Sequence, residues 1–327
     1  MNRRATKKRE TYTAVLIGAG RIAAGFDTPR SRAVLTHAHA IVDNRRLRLA
    51  GITDIDEARG KREARKWRTD FYPDMERMLT LVKPDIVVIA TPDKTHTDIL
   101  LRVLHAHPGL VVCEKPVASA REDISKIRSA VKKSGVPVLV NFRRRFDPTV
   151  ADIRRDIVRG RFGKVISASA HYSKGLFHSG SHAIDLARFF FGEMTSSAAH
   201  FTVDDFPEGS PSIGGVATFD GCPQFHLIAG DERSFSLFEF EILLEKKRLR
   251  FIDEGFFLVS QDVVPDPVFK GYRTLGKGTV RKTGLINSMS FLMKNAVAVL
   301  DGAEKPLSSL EEALKTEDAC FRVRKGL

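Results

Sequence analysis

The sequence predicts an α/β fold in two parts. A doubly wound parallel sheet is expected over residues 1–142, and a C-terminal α+β domain with an open, largely antiparallel sheet over 143–327. Three observations carry this. Short apolar runs alternate with helical patterns through the first half, as βαβ units require. The first run, Ala14-Val15-Leu16-Ile17, leads straight into the glycine turn Gly18-Ala19-Gly20-Arg21-Ile22-Ala23. After Asn141 the pattern changes to closely spaced alternating strands.

Taken in order, the apolar runs place strands at 13–17, 47–53, 85–90, 110–113 and 136–140. Helical periodicity fills the gaps at 33–43, 56–66, 74–82, 95–106 and 119–134. Pro84-Asp85 and Ser134-Gly135 mark turns from helix to strand. A helix over 147–159 ends at Gly160. Strands are then expected at 164–170, 197–204, 213–219, 224–229, 236–244, 248–252 and 256–260. Helices are expected at 182–191, 285–301 and 308–318, and there is no internal repeat.

Composition fits a globular protein of roughly two domains: 327 residues, 43% hydrophobic and 28% charged. No apolar run approaches the length needed to span a bilayer. The basic N-terminus lacks the apolar core of a signal peptide. Cys113, Cys222 and Cys320 are scattered, with no metal spacing and no even disulfide set, so a reducing cytoplasm is expected. The net charge of +13 is spread over short basic runs without interleaved aromatics. That describes a solvated basic surface suited to anionic small ligands, and no nucleic-acid partner is expected.

In the glycine turn, Gly18 permits the tight bend and Gly20 lets the backbone approach phosphate oxygens. Ala23 allows close packing of helix on strand. The run Leu47 to Ile52 ends in Thr53-Asp54. A strand-end carboxylate accepts hydrogen bonds from a ribose diol and repels a 2′-phosphate, which points to NAD(H) over NADP(H). The gap from Gly20 to Asp54 exceeds the usual twenty or so residues, and Gly25 to Arg32 reads as the insertion responsible. This loop is expected beside the cleft. Arg30 and Arg32 either meet an anionic ligand there or are simply solvated. His37-Ala38-His39 reads as helix packing near the dinucleotide.

Thr91-Pro92-Asp93-Lys94-Thr95-His96 and Glu114-Lys115-Pro116 follow the next two strands, at the carboxyl edge where open α/β sheets bind ligands. A lysine in a poorly hydrated cleft beside a nicotinamide exchanges a proton with a substrate hydroxyl once its pKa is lowered. Pro116 allows a cis peptide after Lys115. Further on, Gly180-Ser181-His182-Ala183-Ile184-Asp185 enters a helix just after His178. Here three readings stand: a metal site, helix capping and packing, or an acid/base site in which Asp185 orients an imidazole. The lack of any further ligand cluster speaks against metal.

Four motifs in order give the chain its resemblance to the glucose–fructose oxidoreductase/inositol dehydrogenase (Gfo/Idh/MocA) family. They are Gly18-x-Gly20-x-x-Ala23, Thr91-Pro92-x-x-x-His96, Glu114-Lys115-Pro116 and Gly180-x-His182-x-x-Asp185. The resemblance implies a Rossmann domain, a second domain whose open sheet makes an oligomer interface, and NAD(P)-dependent redox chemistry on sugars and cyclitols. Lys115 then matches the catalytic lysine and His182 the family histidine, while His178 stands where the family pattern has Asp. Either Lys115 or His182 is the base. Cofactor contacts are expected from Gly18, Gly20, Arg21, Ile22, Asp54, Thr91, Pro92, His96, Glu114 and Lys115. Substrate contacts are expected from Arg144, Tyr172, Lys174, His178 and Asp185. The function so implied is hydride transfer between NAD and a secondary carbinol of a sugar or nucleotide-linked sugar, by a homodimer or homotetramer. The alternatives are a redox-neutral NAD-using enzyme and a non-catalytic dinucleotide-binding regulator. The insertion, the Arg143-Arg144-Arg145 run and Tyr172-Ser173-Lys174-Gly175 resemble a subgroup found with bacterial surface-polysaccharide or nucleotide-sugar biosynthesis.

Overall fold

The computed structural model describes residues 10–118, 120–206 and 210–326. The chain divides into two compact units. One joins Met1–Phe146 to Ile286–Leu314, and the other joins Asp147–Leu285 to Lys315–Leu327. Neither is continuous in sequence, in contrast to the simple 1–142 and 143–327 division expected, and Arg144 falls in the first.

The first unit is built on six parallel strands: β1 (Tyr12–Ile17), β2 (Leu47–Thr53), β3 (Phe71–Tyr72), β4 (Ile86–Ile89), β5 (Leu110–Cys113) and β6 (Val138–Val140). Their order is β3-β2-β1-β4-β5-β6, with the direction of winding reversing between β1 and β4. This is the Rossmann arrangement, and ligands bind outside the strand ends at that reversal. β4 and β5, Ile-Val-Val-Ile and Leu-Val-Val-Cys, are buried throughout, as strands covered on both faces must be. The covering helices are α1 (His37–Val42), α2 (Glu57–Trp67), α3 (Met75–Val82), α4 (His96–His105) and α5 (Asp123–Ser134). Asp56 and Asp74 cap α2 and α3 by accepting from Arg59 N and Arg77 N.

The helix expected at 33–43 is shorter than that and begins late. After the glycine turn the chain makes one π-helical turn, Arg21–Gly25, and α1 begins only at His37 behind a Thr36 cap. Asp27 anchors the intervening loop. Its buried carboxylate accepts from Leu35 N, Thr36 Oγ1 and His39 Nδ1 at 2.6, 2.6 and 2.8 Å. The two-residue strand β3 was too short to register as a periodic pattern.

The second unit opens with α6 (Pro148–Val158), capped by Asp147 with proline in the first turn. After β7 (Val165–Tyr172) come α7 (Ser181–Phe191), β8 (Met194–Val203), β9 (Ser212–Phe219) and β10 (Cys222–Ala229). Next are β11 (Phe238–Leu244), β12 (Lys247–Ile252), β13 (Phe257–Pro265), β14 (Arg273–Leu275) and β15 (Thr279–Lys282). They form one mixed sheet, largely antiparallel, in the order β14-β13-β12-β11-β7-β10-β9-β8 with β15 on β13. Among the described residues of this sheet, only β7 and β10 pair in parallel. Alternation along β11, Phe-Glu-Phe-Glu-Ile-Leu-Leu, buries every second residue. Phe190, Phe191, Phe219, Phe225, Phe240 and Phe251 meet in its core. β14 and β15 went unread because every residue in them is exposed, which leaves no alternation to detect.

The chain then returns to the first unit with α8 (Ser288–Leu300), whose Met289, Leu292, Met293, Ala296 and Val297 join the Rossmann core. The following helix, α9 (Leu310–Lys325), contains the division between units at Leu314 and Lys315. Among the described residues, no helix is long and apolar enough to cross a membrane.

Candidate functional site

A cavity of about 570 Å³ opens at the carboxyl edge of the first unit's sheet. Gly18, Gly20, Arg21 and Ile22 line it from the glycine turn, Asp54 and Arg59 from the end of β2, and Thr91, Pro92 and Thr95 from the loop after β4. Its size is that of a small-molecule site. The two glycines serve different ends. Gly18 has φ +96, and a Cβ there would run into the carbonyl of Ala90. A Cβ on Gly20 would meet no protein atom within 4 Å, so its absence makes room for something that is not protein. The three amides that begin the π-turn have no acceptor within it, as at any helical N-terminus. At the other end, Ile55 is 98% exposed and lies with Met75 and Ile99 along the wall, an apolar surface for a flat ring. These features fit a dinucleotide: open backbone at the glycine turn, a carboxylate beyond it, and an apolar wall.

Asp54 is engaged before any ligand arrives. Its Oδ2 accepts from Ala19 N at 2.7 Å and Arg59 Nε at 3.0 Å. Its Oδ1 accepts from Asp56 N at 2.8 Å and Arg59 Nη2 at 2.7 Å. Burial pushes this carboxyl up, but the Arg59 fork and the two amides outweigh burial and hold it below the usual carboxylate range. Arg59 also lies 3.5 Å from the exposed carboxylate of Asp56. Two carboxylates thus face one guanidinium, and the corner keeps a net negative charge. The sequence reading missed Arg59, although its signal was present in the helix cap Asp56 three residues earlier.

Lys115 follows β5, is 9% exposed, and precedes a cis peptide to Pro116. Beside it, Glu114 Oε1 receives two hydrogen bonds of 2.7 Å, one with His37 Nε2 and one from Asn141 Nδ2. Burial raises the Glu114 carboxyl. Bonding to His37 and Asn141, with Lys115 close by, more than compensates and holds it ionised below its ordinary range. His96 does not line the cavity. Its Nδ1 lies 2.6 Å from Pro116 O and its Nε2 2.8 Å from Thr91 O, so the ring ties the loop after β4 to the loop carrying Lys115. Nor does Arg30 line it. Arg30 borders a separate cavity with Lys66, Trp67 and Arg68, and of the insertion only Phe26 reaches the main one.

In the second unit, His178 sits in a π-turn (Gly175–Gly180) and stacks on Phe206 at 4.9 Å between ring centroids. His182, in the first turn of α7, lies edge-on to Phe238 at 6.5 Å. Both rings are half-buried. Lys174 pairs with Glu232 at 3.3 Å. Two of the residues expected to contact substrate are buried and hydrogen-bonded within the protein. Tyr172 is fully buried, with its hydroxyl donating to Ile213 O at 2.8 Å and accepting from Ile213 N at 2.7 Å, and burial pushes its pKa up. Asp185 is 1% exposed and accepts from Thr316 Oγ1 at 3.0 Å, so it braces α7 against the last helix. Arg144 is also buried. Among the described residues, no three His, Cys, Asp or Glu side chains gather as a metal-holding group.

Comparison with known proteins agrees with this geometry. Residues 13–142 match the model of an oxidoreductase family with an NAD-binding Rossmann fold, GFO_IDH_MocA. Inositol 2-dehydrogenase 2 of Saccharopolyspora erythraea is 30% identical over 154 residues, which covers 43% of this chain and 45% of that protein. The scyllo-inositol 2-dehydrogenase (NAD(+)) of Bacillus subtilis is 37% identical over 101 residues, 31% of this chain and 28% of that protein. The matched segment therefore spans less than half of these relatives. The fold alone extends further. The WlbA dehydrogenase of Bordetella pertussis, solved with NADH and UDP-GlcNAcA, superposes with a TM-score of 0.77 at 17% identity, covering 98% of each chain.

Proposed function

We propose that this chain, whose residues 13–142 match the GFO_IDH_MocA oxidoreductase family model, is an NAD-dependent dehydrogenase acting on a secondary carbinol of a sugar, cyclitol or nucleotide-linked sugar. The carrying observation is the cavity at the sheet's carboxyl edge, with open backbone at Gly20 and a carboxylate corner at Asp54. When bound, the nicotinamide exchanges a hydride with the carbinol carbon. Amides of the glycine turn hold the pyrophosphate, Asp54 faces the adenosine ribose, and Thr91 and Pro92 border the same space. The residual negative charge of Asp54, Asp56 and Arg59 supports NAD(H) over NADP(H).

Lys115 is the proposed base. In the direction of oxidation its Nζ takes the hydroxyl proton as the carbinol carbon loses hydride. Support comes from its place at the end of β5 and its low exposure, which withholds water from the ammonium form. His182 and His178 are proposed to act on the substrate as hydrogen-bonding groups, as the family resemblance implies for the first of them. By the same resemblance the protein is proposed to be a homo-oligomer, and its scattered cysteines support a reducing cytoplasm as its location.

The test is a thermal-shift and 340 nm absorbance screen with NAD, NADH, NADP and NADPH. Each is combined with myo-inositol, scyllo-inositol, methyl glucoside or UDP-GlcNAcA. Stabilisation by NAD(H), with one of these compounds changing the absorbance, is the expected result. In Lys115→Ala the dinucleotide still binds and turnover falls by about a thousandfold or more. Full activity in that variant removes Lys115 from the reaction, and no response to any dinucleotide removes the reading altogether.

A further inference from the structure

One buried imidazole in the first unit is not accounted for by packing. His37 is fully buried, and its Nδ1 has no hydrogen-bond partner among the described residues. An apolar side chain would fill that space without leaving a polar atom unsatisfied. Among the described residues, the hydrogen bond of the ring is Nε2 to Glu114 Oε1, at 2.7 Å. With no acceptor at Nδ1, the hydrogen-bond pattern puts the ring proton on Nε2, pointing at the carboxylate. Asn141 Nδ2 approaches the same oxygen at 2.7 Å from the end of β6. Two donors from separate elements therefore pin one oxygen of the residue next to Lys115.

We propose that His37 is a positioning residue that fixes the Glu114 carboxylate and draws its charge away from Lys115, which sets the pH range in which the lysine can take a proton. The inference rests on the proposed role of Lys115. A bare carboxylate beside an ammonium favours the ammonium, and a lysine held in that form cannot act as a base. Hydrogen bonds from His37 and Asn141 spread the charge of Glu114 over two donors and leave less of it to act on the lysine. Among the described residues, the titratable groups facing Glu114 are His37 from α1 and its neighbour Lys115. Asn141 faces it from the end of β6, and α8 adds only the uncharged sulfur of Met289, 3.4 Å from Asn141 Nδ2.

The test needs no substrate. Competitive acetylation with acetic anhydride across a pH series, read by peptide mass spectrometry, reports the titration midpoint of Lys115 in the intact protein. His37→Ala is expected to raise that midpoint by about half a unit or more, and Glu114→Gln to lower it by about as much. His37→Gln, whose amide can donate to Glu114, is expected to stay close to wild type. Coincident midpoints in wild type, His37→Ala and Glu114→Gln overturn the inference, as does a His37→Gln midpoint displaced as far as that of His37→Ala. If His37→Ala does not fold, a Glu114→Gln midpoint equal to wild type, or a His37→Gln midpoint raised by about half a unit or more, overturns the inference. Retained turnover in Lys115→Ala would defeat the underlying reading separately, since the labelling experiment does not depend on turnover.

Discussion

Asp54 shows how a site residue is used twice. Its oxygens hold Ala19 N of the glycine turn and the fork of Arg59, and the same carboxylate borders the cavity. Removing it loosens the turn and cancels the net negative charge of the corner, since Arg59 is left paired with Asp56 alone. Asp54→Ala is therefore expected to weaken NAD about tenfold and to shift the ratio of NADP to NAD affinity toward NADP by a similar factor, measured by titration calorimetry. An unchanged ratio would mean that the adenosine ribose does not lie at this corner. The position of Asp54 was legible as a carboxylate closing an apolar strand. Its partners were not, because an i to i+5 contact with Arg59 and a 35-residue contact with Ala19 carry no shared local pattern.

At the scale of elements, the glycine turn separates fold from binding. Gly18→Ala forces a Cβ into Ala90 O at a positive φ, so it is expected to lower the melting temperature by several degrees, about 4 °C or more. Gly20→Ala meets only open space and is expected to melt like wild type while losing dinucleotide affinity about tenfold or more. Equal melting temperatures for the two variants would contradict this. The end of α7 has its own electrostatics. Hydrogen bonding from Arg188, then from Lys315, outweighs burial and takes the Glu193 carboxyl down to about 2. A carboxyl with a depressed folded-state pKa binds protons more readily when unfolded. Its contribution is thus complete above the usual 4.5 and is lost as pH falls toward 2. Thermal melts of Glu193→Gln should lie below wild type at neutral pH and converge with it near pH 2. The half-exposed side chain keeps the difference modest.

For the whole molecule, the main departure from the sequence reading is the return of residues 286–314 to the first unit. Helix α8 brings Leu292 and Met293, both fully buried, into the same core as Leu16, Ile86 and Val112. The hydroxyl of Tyr12 donates to Asp301 just beyond that helix at 2.8 Å, and Arg46 pairs with the same carboxylate at 3.0 Å. Leu292→Ala is accordingly expected to cost about 2–5 kcal/mol in urea unfolding and to weaken dinucleotide binding along with it. A stability loss confined to the phenylalanine-rich second unit would count against this assignment.

The amino-acid sequence by itself determined the two sheet types, the order of the principal strands and helices, the glycine turn, and the placing of Lys115 at a strand end. Each of these is written in local spacing: alternation of two, helical periodicity, or a glycine where the backbone must bend. The tertiary structure decided which polar groups are spent inside the protein. Asp185 reaches Thr316 across 131 positions, His37 reaches Glu114 across 77, and Tyr172 closes on Ile213 across 41. A buried polar atom must find a partner, and in a folded chain that partner is chosen by proximity in space, to which the spacing of residues along the sequence is blind.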